Sequence, residues 1–453
     1  MNAVNSIVHY GGRLGVISIG LLVFTLNALA VDDHTMSARE QKEIVNTICS
    51  FLESNYVFPD IGEKTKKKVL ENYENGKYLQ YTSAKEFARI LNADLEEVSQ
   101  DKHLGVVYDP DWVTGLKEQS TEGDAYLTEE MVQEERWKNF GFREIRILDG
   151  NIGYIDLRIF YHPKYAGETA VAAMNFVANS DALIIDVRNN GGGWGYMVAF
   201  LCSYFFDNEE LVQFSSVYSR PEDKTYQSWS LPYLPGKIMP DIPLYILTSK
   251  STFSAAEEFC YNLKHADRAT IIGETTRGGA HPIDVKVLSD ALVLIMPEWR
   301  SIHPKTNTDW EGIGVQPDIE VAAEEALHIA HVQALETLFA RAPDEETKRR
   351  CQWYIDGIKA KRNPASVDVS RMQLYVGTYG SYSITFENGI LYCVRGNRAK
   401  HRMLPMNEDL FLIEDIGDRR FYFMIQNDDV IGVAVMHEDG TKTVFTRKEV
   451  QGD

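Results

Sequence analysis

The chain has 453 residues, 44% hydrophobic and 25% charged, and a formal net charge of −20. That length implies two or three domains, and that balance a folded rather than a disordered protein. The one dense basic run, Lys64-Thr65-Lys66-Lys67-Lys68, reads as a solvated helix face, so the charge argues against a nucleic-acid or anionic-membrane partner.

At the N-terminus, Arg13 precedes an apolar run from Leu14 to Leu29 that closes with Ala28-Leu29-Ala30. A positive residue, a short apolar core and an A-x-A exit describe a signal peptide cleaved after Ala30. The rival reading is an uncleaved anchor, which the polar Ser18, Thr25 and Asn27 disfavour. No cysteine directly follows the site, where Val31 stands, and no later segment is long and apolar enough to span a bilayer. The expectation is a secreted or periplasmic protein with no stable membrane insertion once the signal is removed. Cys49, Cys202, Cys260, Cys351 and Cys393 are odd in number and scattered, with no C-x-x-C, so they describe neither a disulfide framework nor a metal motif.

Residues 31–103 read as a helical cap. Ser37-Ala38-Arg39-Glu40 and Ser83-Ala84-Lys85-Glu86 fit capping boxes, and a further helix is expected from Lys64 to Tyr73. Residues 104–325 then alternate strands and helices. Strands are expected at Leu104–Tyr108, Ile152–Leu157, Ala182–Val187 and Ile242–Leu247. Helices are expected at Glu168–Ala178, at Met197–Phe205 and after Ser254. This order implies an α/β core with a partly parallel sheet, whose ligands sit at the carboxyl ends of strands. Residues 326–364 read as a helical linker. Residues 365–453 form short strands around the turns Asn388-Gly389 and Asp439-Gly440, an all-β, barrel-like domain.

Two features lie at such strand ends. Ser254 stands where an apolar strand turns into a helix. It is either a helix N-cap or a nucleophile with free backbone N–H groups beside it. Gly191-Gly192-Gly193 is a tight turn, a phosphate cradle, or an oxyanion donor, although neither a following Gly-Lys-Ser/Thr nor the dinucleotide spacing is present. His103 becomes a base only with a partner. Glu311, in a Gly- and Pro-rich stretch, is a solvated carboxylate or the support of a histidine.

Six motifs occur in order: Asp101-Lys102-His103-Leu104, Asn151 to Leu157, Asp186 to Gly193, Thr252 to Phe259, Gly273 to Pro282, and Trp310 to Asp318. Together they resemble the serine peptidases of the tail-specific or C-terminal processing type, in the branch similar to interphotoreceptor retinoid-binding protein and the tricorn protease core. The resemblance implies a crotonase/ClpP-like α/β core and a peptidase acting on peptides or proteins without metal or cofactor. It makes Ser254 the nucleophile, His103 the base and Glu311 its support, with the N–H groups of Gly192 and Ala255 as oxyanion hole. His281 is the alternative base. Processing peptidases carry a basic lysine where this chain has Gly279, so a Ser–Lys dyad is not expected. No segment reads as a PDZ insertion. The retinoid-binding relative keeps a second reading open, a non-catalytic binder of apolar ligands.

Overall fold

The computed structural model describes residues 34–118, 127 and 129–448, together with the backbone of Ile17–Ser18. The expected signal cleavage site lies outside the described residues. Among them, no helix is long and apolar enough to cross a membrane. The chain groups into two units, one formed mainly by the residues up to 327 and the other mainly by those from 328 onward.

The first unit opens with helices Ala38–Ser54, Pro59–Glu74 and Ala84–Ser99. The first begins with a complete capping box: Ser37 Oγ accepts from the Glu40 N–H at 3.2 Å, and Glu40 accepts from the Ser37 N–H at 2.7 Å. The second starts earlier than the charge pattern suggests, because Pro59 occupies its first turn, where a missing N–H costs nothing. Their apolar faces, including Ile44, Ile48, Leu52, Phe87, Leu91 and Leu95, pack against Val106, Leu292, Leu294 and Met296. Those last residues belong to an antiparallel ladder of Gly105–Tyr108, Leu292–Pro297 and Ile283–Val287.

The centre of the unit is a six-stranded sheet in the order Ile319–Glu320, Thr270–Gly273, Leu244–Thr248, Ala182–Asp186, Ile152–Leu157 and Phe142–Leu148. Its first three neighbour pairs are parallel. Leu244–Thr248 and Ala182–Asp186 are buried at every position, as strands covered on both faces must be. Helices Pro163–Val177, Gly195–Ser203 and Ala255–His265 contribute Ala170, Met174, Met197, Leu201, Phe259 and Leu263 to the same core. The carboxyl ends of the two buried strands lead to the glycine loop and to Ser254. Beside them, Gly193–Trp194 and Ile283 flank a space one strand wide, in which the extended backbone of Ile17–Ser18 pairs antiparallel with both.

In the second unit, helix Glu345–Arg362 precedes eight antiparallel strands joined in chain order. A bridge between Tyr379 in the first strand and Arg447 just past the last nearly closes them into a barrel. Asn388 and Gly389 turn one hairpin with φ of 50° and 81°, the left-handed pair that an Asn-Gly hairpin turn requires.

Candidate active site

Ser254 immediately precedes helix Ala255–His265 and adopts φ 58°, ψ −122°. That region favours glycine, and a side chain held there costs about 1–3 kcal/mol. Three hydrogen bonds enforce it. The Phe253 N–H donates to Asn190 O at 3.1 Å, the Ser254 N–H to Glu257 Oε2 at 2.8 Å, and the Ala256 N–H to Phe253 O at 3.1 Å. The result is a buried hydroxyl directed at a histidine: Ser254 Oγ lies 2.9 Å from His103 Nε2.

Glu257 is fully buried and holds the surrounding turn as well. It accepts from Thr276 Oγ1 at 2.5 Å and from the N–H groups of Gly278 and Gly279 at 2.6 and 2.9 Å. Burial pushes its carboxyl up to about 7, against donors that each favour the ionised form.

His103 follows helix Ala84–Ser99, which ends with Gln100 in the left-handed conformation. Asp101 Oδ1 then accepts the His103 N–H at 3.0 Å, and the imidazole stacks on Phe253 at 4.6 Å between centroids. Burial lowers the His103 pKa to about 4, so the ring is neutral and able to accept a proton.

The other oxygen of Asp101 accepts from Tyr56 Oη at 3.1 Å and meets His281 Nδ1 at 2.7 Å. His281 Nδ1 is also 3.5 Å from Glu311 Oε2, which accepts the Ala280 N–H at 2.5 Å. Burial opposes charge on both members of the Asp101–His281 pair. Their mutual hydrogen bond and attraction nevertheless hold Asp101 below the usual carboxylate range and raise His281. Glu311 is pushed up to about 7 by burial, with His281 opposing.

The structure therefore gathers all the residues singled out from the sequence. Ser254 and His103 form the one direct pair. His281 makes no hydrogen bond to Ser254 and engages Asp101, while Glu311 lies beside His281 rather than hydrogen-bonded to His103. Two participants had no assigned role, Asp101 and Glu257. Asp101 stood in the motif with His103, but its partner is 180 positions away. Glu257 stood where a capping-box glutamate belongs.

Gly192 approaches the nucleophile so closely that an added Cβ would sit 2.8 Å from Ser254 Cβ. Its N–H donates to Asn190 Oδ1 at 2.9 Å, so it must turn away from that amide to reach an oxyanion. The Ala255 N–H leads the helix, where backbone donors lack intrahelical acceptors. At Gly279 an added Cβ would overlap the Phe253 ring and lie 2.8 Å from His103 Cε1. The His103–Phe253 stack thus fills the space that a lysine there would need.

Residues 151–321 match the family described as Peptidase family S41, and residues 26–138 match the N-terminal domain of Peptidase_S41 in eukaryotic IRBP. The chain is similar to the tricorn protease of Thermoplasma volcanium, at 27% identity over 181 residues, covering 38% of this chain and 15% of that protein. It is also similar to a carboxyl-terminal-processing protease of Synechocystis, at 27% identity over 185 residues, covering 40% of each. It thus spans less than half the length of these relatives. Among solved structures, the photosystem II D1 C-terminal processing protease aligns with a TM-score of 0.41 at 15% identity, covering 63% of this chain and 94% of that one. The core of this chain belongs to Peptidase family S41, preceded by the N-terminal domain type found in eukaryotic IRBP.

Proposed function

We propose that this chain is a serine peptidase that hydrolyses peptide bonds through an acyl-enzyme on Ser254, acting in a secreted or periplasmic setting. The observation that carries the reading is the 2.9 Å contact between Ser254 Oγ and the neutral, buried His103. Ser254 Oγ attacks the substrate carbonyl while its proton passes to His103 Nε2. The Ala255 N–H and a glycine-loop N–H, Gly192 once released from Asn190, hold the oxyanion. The protonated His103 then gives its proton to the leaving amine, and water repeats the sequence to free the acid. The charge of Asp101 favours the transient imidazolium, and Glu311 lies beside the His281 that Asp101 engages.

The substrate is a peptide or protein presented as an extended strand. The one-strand space between Gly193–Trp194 and Ile283 supports this, since Ile17–Ser18 already pairs there on both sides. No nucleic acid, metal or cofactor enters the reaction.

The test is fluorophosphonate labelling of the chain from Val31 beside Ser254→Ala and His103→Ala. Labelling is expected to vanish in the first and weaken in the second. Equal labelling of Ser254→Ala would place the nucleophile elsewhere, and an inert wild type would favour the binder of apolar ligands.

A further inference from the structure

Three buried polar atoms in this cluster have no hydrogen-bond partner among the described residues: His103 Nδ1, His281 Nε2 and Glu311 Oε1. His103 is only 5% exposed and Asp101 only 2%. One ligand atom each from Asp101, His103 and Glu311 lie within 4.8 Å of one another. His103 Nε2 is taken by Ser254, so the ring nitrogen left without a partner is Nδ1.

We propose that Asp101, His103 and Glu311 form a binding site for an inhibitory first-row divalent cation, with Zn²⁺ as its representative. One imidazole nitrogen and two carboxylate oxygens match Zn²⁺, whereas Mg²⁺ and Ca²⁺ seek oxygen alone. Ligands about 2.0–2.2 Å from a Zn²⁺ ion stand closer together than 4.8 Å, so the ion draws Glu311 inward. Glu311 lies on a turn and is the least buried of the three, with its side chain 16% exposed. Competing thiolates are absent from the surface, because all five cysteines are buried.

The consequence follows from the tautomer. A cation on Nδ1 requires the ring proton on Nε2. His103 then donates to Ser254 Oγ and has no lone pair to accept the serine proton. The ion stops the enzyme without touching the nucleophile, by occupying the far side of the base. This inference rests on His103 being the base, but the binding itself does not.

The experiment separates the two. Full-length Ser254→Ala, which keeps the cluster, is titrated with Co²⁺ by visible absorption and with Zn²⁺ by calorimetry. One equivalent is expected to bind, with a shift of the His103 imidazole nitrogen resonances by NMR and no response to Mg²⁺ or Ca²⁺. Adding Glu311→Gln is expected to weaken binding at least about tenfold. In the wild type, Zn²⁺ is expected to slow fluorophosphonate labelling at least about tenfold, with recovery on chelation. No stoichiometric binding, or binding that leaves the His103 resonances unmoved, overturns the site even if Glu311→Gln fails to fold. A wild type that never labels, beside a Ser254→Ala chain that binds Co²⁺ as described, sinks the peptidase reading and leaves the metal site standing.

Discussion

Gly279 is the position at which the geometry can be pressed hardest. A Cβ built there would sit 2.5 Å from Phe253 Cζ and 2.8 Å from His103 Cε1. Carbon atoms in contact prefer about 3.5–4.0 Å, so the ring must retreat by about 1 Å. Phe253 is 3% exposed, with His103 stacked on it and the Arg277 guanidinium 4.9 Å from its centroid. Overpacking of this kind costs about 1–3 kcal/mol. The larger effect is on catalysis, because the imidazole moves with the ring on which it stacks. A displacement of about 1 Å in a catalytic group lowers rate by about 10²-fold. Gly279→Ala is therefore expected to fold, to unfold at slightly lower urea, and to label about 10²-fold more slowly. Gly279→Lys places the processing-peptidase lysine in the same space and is expected to be at least as impaired. The decisive assay is the labelling rate of Gly279→Lys combined with His103→Ala. Recovery of activity in that double variant would refute the steric argument and show that a lysine can reach Ser254.

Two further outcomes follow from the same site. His103 must be neutral to act, and burial lowers its pKa to about 4 from the ordinary histidine value of 6.5. The labelling rate is thus expected to hold as pH falls below 6 and to decline only toward pH 4, and an acid limb centred near 6.5 would contradict the burial argument. Between the two values the unfolded chain binds the proton and the folded one does not, so this group's contribution to stability is full above pH 6.5 and is lost as pH falls from 6.5 toward 4, by about 3 kcal/mol in all. Ser254→Gly relieves the positive φ that Ser254→Ala retains, and urea unfolding is expected to show the glycine variant more stable by about 1 kcal/mol. An alanine variant as stable as the glycine one would mean that the turn carries no strain.

Much of the architecture is written in local signals. The Ser37 capping box, the Asn388-Gly389 turn and the apolar runs of the parallel strands each act within a few residues, so the helical cap, the barrel-like domain and the α/β core are all visible from the chain alone. The strand at Ile283–Val287 and the hairpin Gln213–Trp229 are not. Lys224–Trp229 buries none of its side chains fully, so no apolar alternation marks it, and the register of both ladders comes from distant partners. The site divides in the same way. Ser254 is legible because strand, cap residue and helix succeed one another there. Asp101 is not, because its role depends on Tyr56 and His281, brought to it by the fold. The Gly192 N–H shows a further limit: composition identifies a loop able to offer a donor, but not that Asn190 already accepts it.

The arrangement of two carboxylates around two histidines has its own electrostatic logic. Asp101 and Glu311 are brought close in a site where burial disfavours each charge, and two like charges so placed cannot both ionise without a cation. His281 supplies it. Its Nδ1 lies against both carboxylates, and their attraction is what raises its pKa despite burial. With Asp101 satisfied by His281 and Tyr56, the field of the cluster reaches His103 without a direct hydrogen bond to its Nδ1. Burial keeps His103 neutral at rest, and an imidazolium formed during attack gains the attraction of Asp101, which His281, Arg277 and Lys102 oppose. An aspartate hydrogen-bonded straight to Nδ1 would stabilise the imidazolium more strongly, but would also raise the resting pKa. The indirect arrangement gives up part of the first effect to keep the second small. It also leaves Nδ1 unpartnered, and that open valence is the one a cation can take.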